Sequence, residues 1–269
     1  GAHLIGWDAG KGDLDELEDL VLRYRPKLLC ATTTFQNPTG ATWSLPLRRE
    51  VLDLVARYRL PVVEDEPYRE LSFGANPPSP LYSLDGGRSV IHVGTFSKVL
   101  AGGLRLGWLT ANEAIVEQLA LVKLRSDVST SSMTQLVVAE YLTSGRFEGH
   151  VAALRIEHAR RHTAMLDAMR RHIPPSTLIC QPVQGGLYLW CRLGGGLDTR
   201  DLMQAAAANG VAFVPGVSFY PDAAGTQELR LCFSAVDPVK IEDGVRRLGG
   251  LLRDQMEHAI KLIEMRPLV

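Results

Sequence analysis

The sequence predicts an α/β protein, in which a layered and mostly parallel sheet is followed by a smaller α+β domain. Short strand-like apolar runs alternate with helical patterns over residues 14–110, and strands separated by helices are typical of layered α/β sheets. One long helical stretch covers residues 146–172 and ends at Pro174-Pro175, because proline cannot continue a helix. Short strands return after it, so we expect two domains, over residues 1–172 and 173–269.

The first domain is predicted to contain four strands and two helices before its long helical part. Helical spacing of apolar residues begins at Leu14, and Ser44 is a suitable N-cap for a second helix that carries Val51 and Leu54. Residues 112–172 then follow helical patterns. The predicted strands cover residues 27–33, 61–65, 89–93 and 106–110.

The second domain mixes short strands with two helices, which is the pattern of an α+β domain. The predicted helices cover residues 199–209 and 238–264. The predicted strands cover residues 176–181, 186–193, 211–214 and 228–234.

Composition narrows the classes of function. The 269 residues carry a formal net charge of −1 and are 46% hydrophobic, which suits a substantial core and gives no reason to expect a nucleic-acid surface. No apolar run approaches the roughly 18 residues of a membrane span, and the first residues lack a secretory signal. The cysteines suggest neither a disulfide framework nor a zinc site, with Cys30, Cys191 and Cys232 expected as buried free thiols. We therefore expect a cytoplasmic protein that holds no metal.

Polar clusters follow three of the predicted strands. Asn37-Pro38-Thr39-Gly40 comes after the first strand, Glu64-Asp65-Glu66-Pro67-Tyr68 ends the second, and Gly94-Thr95-Phe96-Ser97-Lys98 ends the third. Taken singly, each cluster is also typical of an ordinary feature: a turn, a solvated or helix-capping acidic group, and a surface lysine. Because ligands of open α/β sheets bind outside the carboxyl ends of strands, the shared position favours one common site.

The third cluster has the chemistry of a phosphate site. The hydroxyl groups of Thr95 and Ser97 are followed by Gly102-Gly103 and Arg105. Hydroxyls, closely approaching glycine N–H groups and a guanidinium are the donors that a phosphate requires. A lysine amine beside them, that of Lys98, predicts a Schiff base to a phosphorylated aldehyde. Asp65 directly follows the apolar strand, so we expect its carboxylate at the point where the core opens into a cleft. A carboxylate there would need a cationic partner to stay charged.

Five motifs in one order resemble the fold-type I pyridoxal 5′-phosphate (PLP) enzymes of the class I/II aminotransferase group. The resemblance implies a PLP-dependent transferase-like large domain with a smaller C-terminal domain, and amino-group transfer between an α-amino acid and a 2-oxo acid. Five motifs in order are far more specific than any one of them, and they span most of the chain. They are Asn37-Pro38-Thr39-Gly40, Asp65-x-x-Tyr68, Thr95-Phe96-Ser97-Lys98, Leu104-Arg105-Leu106-Gly107-Trp108 and Leu229-Arg230-Leu231.

The resemblance implies catalytic roles for residues around the cofactor ring. Lys98 would hold PLP as a Schiff base and, once freed by substrate, would move the substrate proton. Asp65 would pair with the ring nitrogen and keep it protonated. Asn37 and Tyr68 would hydrogen-bond the ring 3′-oxygen, and Asn37 would also lie beside the substrate.

Phosphate and substrate contacts follow from the same resemblance. Thr95, Ser97 and Arg105 would hold the cofactor phosphate. Arg230 would bind the substrate α-carboxylate as a two-point fork, although an arginine of a surface strand has the same sequence setting. Two further segments resemble family segments that face the substrate, at residues 184–188 and 215–219.

Members of this family also have a large-domain segment that precedes the part matched here. That segment supplies a second phosphate-binding loop at a helix N-terminus, an aromatic ring stacked on the cofactor, and the arm that completes the small domain. We therefore expect this chain to begin part-way through the large domain. We also expect a homodimer, in which residues of the partner reach the phosphate.

The function has alternatives beside the favoured aminotransferase. The same residues would serve β-elimination or decarboxylation, because the cofactor carries the reaction. The sequence motifs at residues 35–40 and 96–105 are shared by aminoadipate-type aminotransferases and by MocR-type regulators of the GntR family, in which the PLP lysine serves sensing. A basic helix-turn-helix upstream of Gly1 would favour that reading and would add DNA as a partner. The intact Lys98, Asp65 and Arg105 argue against a third alternative, a structural relic that binds no cofactor.

Overall fold

The computed structural model describes residues 1–264 of the chain. Backbone contacts divide the chain into two units. The predicted domain boundary at residue 173 stays a prediction, since helix α6 (Arg146–His172) is continuous through the point where the contacts divide the chain. Unit 1 contains residues 1–37, 41–156 and 184–186, and unit 2 contains residues 38–40, 157–183 and those from 187 on.

Unit 1 is built on a four-stranded sheet in the order β1-β2-β3-β4. Strands β1, β2 and β3 are parallel, and β4 runs antiparallel to β3. The mostly parallel sheet confirms the predicted α/β class, and it places the carboxyl ends of three strands at one edge. The strands cover Leu29–Ala31, Val62–Asp65, Val90–Thr95 and Gly107–Thr110.

Three helices of unit 1 precede β4, namely α1 (Leu14–Tyr24), α2 (Leu45–Arg57) and α3 (Leu81–Asp85). The predicted cap of α2 is confirmed, because the Ser44 hydroxyl accepts a 3.3 Å hydrogen bond from Leu47 N. Apolar side chains of α1 and α2 pack against those of the sheet in one hydrophobic core. Fully burying one apolar side chain contributes about 1.5–3 kcal/mol, so this core anchors the two helices to the sheet. The core contains Leu17, Val21, Val51, Leu54, Val55, Val62 and Val90.

Helices α4 (Glu113–Asp127) and α5 (Ser132–Thr143) bury little of their surface. No residue of α4 is buried, and Val138 alone is buried in α5. Their apolar side chains face outward instead, as Met133 does at 77% exposure. No helix in residues 1–264 is long and apolar enough to cross a membrane.

Unit 2 contains an antiparallel sheet in the order β5-β6-β8-β7. Helices α7 (Thr199–Ala208) and α8 (Pro238–Glu264) accompany it, which confirms the predicted α+β character. Its buried residues include Leu189 and Leu229 of the sheet and Leu248 of α8. The strands cover Leu178–Cys180, Tyr188–Leu193, Val214–Pro215 and Glu228–Cys232.

The cysteine predictions were wrong in three respects. Cys191 is buried as expected, but it forms a disulfide with Cys180, its register partner in the β5–β6 pair. Cys30 and Cys232 are free thiols, yet both are exposed. Each lies in a strand whose other face is covered, and side chains of a strand alternate between faces. An apolar run alone does not tell which face of the strand is covered.

Candidate functional site

The predicted site residues of unit 1 lie beyond the carboxyl ends of its parallel strands. Asn37 is in the loop after β1, Asp65 is the last residue of β2, and Lys98 follows the end of β3. The register pairs Asp65 with Val93, so the ends of β2 and β3 are side by side. The structure therefore places three separate sequence clusters along one edge of the sheet.

The loop that carries Asn37 is closed at its base. Trp43 N donates a 2.9 Å hydrogen bond to Thr33 O, which joins the two stems of the loop. Gly40, the last residue of the Asn-Pro-Thr-Gly motif, has a φ of +71°. A Cβ atom there would lie 2.3 Å from Val183 Cγ1, so both the backbone conformation and the available space require glycine.

Asp65 and Tyr68 lie in different environments. Asp65 is partly exposed at the strand end, whereas Tyr68 is buried. Partial burial raises the pKa of Asp65, and the nearby Glu66 carboxylate raises it further. Partial burial likewise raises the pKa of the Cys30 thiol, although the residue is mostly exposed, and the Asp65 charge on the same face of the sheet raises it further. A cation bound beside Asp65 would favour its charged form.

A fully buried arginine lies behind this edge. Arg48 of α2 is 0% exposed, and its guanidinium donates four hydrogen bonds. Two of them go from Nη2, over 2.8 Å each, to the Thr33 carbonyl and the Thr34 hydroxyl. The other two go to the carbonyls of Trp43 (3.1 Å) and Ser79 (3.2 Å). One side chain therefore joins both stems of the Asn37 loop.

Two buried carboxylates flank Asp65 and face Arg48. Arg48 Nη1 lies 3.6 Å from Glu64 Oε1 and 3.7 Å from Glu66 Oε1. The Thr33 hydroxyl lies 2.7 Å and 2.9 Å from the same two oxygens. The neighbouring carboxylates are thus held on the covered side of β2, opposite Asp65.

Glu66 is charged although it is buried. Burial by itself would raise its pKa, but the neighbouring His92, the Thr34 hydroxyl and the charge of Arg69 lower the pKa to about 2. Thr34 donates a hydrogen bond to Glu66. His92 Nε2 lies 3.3 Å from Glu66 Oε2 without an aligned hydrogen bond. Arg48, Glu64 and Glu66, with Thr33 and Thr34, are called the buried charge network below.

The end of β3 is held by hydrogen bonds of the backbone and of the Thr95 hydroxyl. The Thr95 hydroxyl donates to Leu106 O over 3.2 Å and accepts from Ser97 N over 3.1 Å. Arg105 has a φ of +50° after a short 3₁₀ turn, and it precedes Gly107, the register partner of Thr95. This connection returns the chain to the sheet edge at the end of β3, and both Lys98 and Arg105 are exposed.

The segment 184–186 belongs to unit 1, apart from its sequence neighbours. Gly186 N donates a 3.0 Å hydrogen bond to Leu71 O, in the turn that follows Tyr68. A Cβ on Gly185 would lie 2.4 Å from Phe35 Cζ and 2.6 Å from Leu71 O, so the close approach requires glycine. The family resemblance predicts that this segment also approaches the candidate site, which stays a prediction.

Arg230 lies in unit 2, on strand β8, where it pairs in register with Trp190 and Val214. Its guanidinium carbon lies 4.1 Å from the centre of the Tyr188 ring and 5.2 Å from that of Phe219. Aromatic faces attract a guanidinium and hold its plane. The structure thus brings Arg230 together with the predicted segment 215–219, while its role as a carboxylate ligand stays a prediction.

Sequence reasoning missed the buried charge network, although one signal for it is present. Arg48 precedes Val51 by three positions and Val55 by seven, so it occupies the apolar stripe of α2. A charged residue in an apolar stripe indicates a buried ion pair. No local pattern identifies Glu64 and Glu66 as its partners, because adjacent acidic residues at a strand end are also typical of solvated loops.

The fold and this edge define an α/β protein with a candidate ligand site at the carboxyl ends of its parallel strands. The site bears a lysine, a carboxylate, hydroxyl groups and an arginine. Residues 7–248 match the family described as aminotransferase class I and II, and the chain belongs to that family.

Similar proteins include an enzyme and a regulator. The chain is 38% identical to the 2-aminoadipate transaminase of Thermus thermophilus, over 90% of this chain and 61% of that protein. The structure of alpha-aminoadipate aminotransferase from Thermus thermophilus, complexed with N-(5′-phosphopyridoxyl)-L-leucine, has a TM-score of 0.86 at 36% identity, over 93% of this chain and 64% of that one. An HTH-type transcriptional regulator of Bacillus subtilis is 30% identical, over 84% of this chain and 46% of the regulator. The chain thus spans between about half and two thirds of the length of these relatives.

Proposed function

We propose that this chain is the part of a PLP-dependent aminotransferase that provides the cofactor lysine, and that the enzyme transfers an amino group between an α-amino acid and a 2-oxo acid. The observation that carries the proposal is the common edge at which Asp65, Lys98 and Arg105 lie, at the ends of adjacent strands. Family membership and the phosphopyridoxyl compound bound by a similar structure support the same cofactor.

The residues at the edge suit the chemical groups of PLP. When bound, PLP supplies an electron sink for the charge that develops at the substrate Cα. The exposed amine of Lys98 is available to hold the cofactor aldehyde and then to take and return the Cα proton. Asp65 would face the ring nitrogen, and a cation there would oppose the raised pKa that partial burial gives this carboxyl.

The phosphate and the substrate would be bound by other groups. Arg105 would hold the phosphate together with the Ser97 hydroxyl and the strand end at Thr95. Because Thr95 already donates its hydroxyl proton to Leu106 O, its hydroxyl would contribute mainly by shaping the turn. Arg230 would bind the substrate carboxylate, with its plane set by Tyr188. Asn37 and Tyr68 would contact the ring oxygen.

Reductive trapping tests this proposal directly. The chain is mixed with PLP, reduced with borohydride and digested, and the labelled peptide is identified by mass spectrometry. We expect the label on Lys98 and its loss in Lys98→Arg. The matched control is Lys123→Arg, which changes an exposed lysine of α4 that is paired with Asp127. A label that persists in Lys98→Arg would refute the assignment.

A sensing domain of a MocR-type regulator is the second candidate. The similarity to the Bacillus subtilis regulator favours it, at 30% identity over 227 residues. Both candidates bind PLP, so turnover separates them. Conversion of 2-aminoadipate with a 2-oxo acid would support the enzyme, since that amino acid gives its name to a similar transaminase. Saturable amino-acid binding without release of the 2-oxo acid would support the regulator.

Homodimer formation and a cytoplasmic location belong to the same proposal and are supported by the family resemblance. The Cys180–Cys191 disulfide argues against the cytoplasmic location, because disulfides are rare in reducing compartments. Light scattering measures the mass of the particle. Thiol counting on protein isolated under alkylating conditions would give four free thiols per chain if the cytoplasmic assignment is right.

A further inference from the structure

The Asn37 loop and the Asp65 strand end share one buried cation. Arg48 donates to Thr33 O and Trp43 O, which are the two stems of the loop. The same guanidinium lies within 3.7 Å of the carboxylates on either side of Asp65. Through Thr34, which accepts from Arg48 and donates to Glu66, the loop and the strand are also joined directly.

The cost of this arrangement indicates that its geometry matters. Burying an ion pair is expensive, and well-packed apolar residues in its place are often equally stabilising or better. The guanidinium of Arg48 is a planar fork whose N–H donors point in fixed directions. A lysine ammonium would not reproduce this geometry. The acceptors of Arg48 lie on both stems of the Asn37 loop and at the end of β2. The fork therefore sets one spacing between this loop and the strand end.

The direction of Asp65 follows from its neighbours. Side chains alternate along a strand, so a side chain whose two neighbours are fixed on one face must point to the other. Glu64 is fixed twice, because it faces Arg48 and also accepts from Leu81 N (2.8 Å) and Tyr82 N (3.0 Å) at the start of α3. Glu66 is fixed by Thr34 and Arg69.

We propose that Arg48 is a positioning residue, which through the buried charge network sets the distance and orientation of Asn37 relative to Asp65. Its consequence for the cofactor ring rests on the proposed function, in which Asn37 and Asp65 contact the ring oxygen and the ring nitrogen. Arg48 itself is fully buried, so its side chain is not available to a ligand. Its effect on chemistry is carried by the two segments that it joins.

The first test needs no cofactor. Amide hydrogen exchange is compared between the native chain and Arg48→Lys, which keeps the charge and loses the fork. We expect exchange to accelerate by about tenfold to a hundredfold in residues 35–42 and 65–71 together, while residues 51–55 of α2 keep their protection. The control is Arg57→Lys, at the exposed pair with Glu18. Unchanged exchange in both segments, or equal acceleration throughout unit 1, would overturn the proposal.

The second test reads the cofactor. The visible band of PLP bound to the chain is titrated with pH in the native chain, Arg48→Lys and Glu66→Gln. We expect the pH midpoint of this titration to move by about one pH unit in both variants, because the contacts of the cofactor ring change while Lys98 does not. If the native chain binds no PLP, the proposed function fails, and the exchange experiment alone decides the positioning role. If PLP binds and the midpoint stays constant in both variants, the positioning role fails alone.

Discussion

The ends of strands β2 and β3 carry residues of one candidate site, and the structure holds them in different ways. At the end of β2, Asp65 lies between two buried carboxylates that face Arg48. At the end of β3, Lys98 and Arg105 are exposed, and the connection is held by backbone and hydroxyl hydrogen bonds around Thr95.

This contrast separates the buried charge network behind β2, called the framework below, from the exposed side chains at the end of β3. The β2 end combines desolvated charges with many hydrogen bonds, so changing its geometry requires breaking several strong interactions at once. The β3 end has few buried groups and can adjust locally at little cost. Substitutions behind β2 should therefore change stability, whereas substitutions at the β3 end should change ligand binding and leave stability largely intact.

The largest effect is expected from Arg48→Ala. Removing one partner of a buried ion pair leaves uncompensated charge, here on Glu64 and Glu66, and typically costs about 3–5 kcal/mol. Urea unfolding followed by circular dichroism measures the loss. Arg57→Ala, at the exposed pair with Glu18, should leave the free energy of unfolding almost unchanged. Equal effects of the two substitutions would remove the basis of the comparison.

Acid should weaken the framework through Glu66. Its pKa is lowered from 4.5 to about 2 in the folded chain, so the folded state binds this proton less readily than the unfolded state. The contribution to stability is therefore complete above pH 4.5 and is lost as the pH falls towards 2. A shift of this size corresponds to about 3 kcal/mol.

Unfolding midpoints in urea, measured between neutral and acid pH, test this dependence. Glu66→Gln keeps the shape of the side chain and removes the titration, so its stability should vary less over the acid range. The same acid slope in Glu66→Gln and in the native chain would assign the effect to other carboxylates.

A smaller effect of opposite sign is expected at the β3 end. Arg105 has a φ of +50°, and this left-handed conformation costs a residue with a Cβ about 1–2 kcal/mol relative to glycine. Arg105→Gly should therefore raise the free energy of unfolding by about 1 kcal/mol. Loss of the guanidinium should also weaken PLP retention by about tenfold to a hundredfold. A stability loss in this variant would mean that Arg105 belongs to the framework.

Lys98→Ala should have the smallest effect on stability. The side chain is exposed, and surface substitutions usually change the free energy of unfolding by no more than about 0.5 kcal/mol. Thermal unfolding of the cofactor-free chain gives this comparison. A clear drop in the melting temperature would show that the amine supports the fold as well as the proposed chemistry.

Local patterns predicted the element order closely. The helix expected over residues 146–172 has those bounds in the structure, since apolar spacing marks its length and two prolines follow it. Strand β1 is shorter than the predicted 27–33, because strand pairing with β2 covers only Leu29–Ala31. The short helix α3 was not predicted, and its start is bound by the Glu64 carboxylate from a distant part of the chain.

The sequence by itself determined the alternation of strands and helices, the cap at Ser44 and the order of the motifs at strand ends, because these depend on neighbours within a turn or a strand. The tertiary structure decided that Arg48 is buried against Glu64 and Glu66, that Cys180 pairs with Cys191, and that Gly185 packs against Phe35. Each of these depends on segments that meet only when the chain is folded. Burial then determines whether a charge is a solvated group or part of a framework, because desolvation makes its partners obligatory.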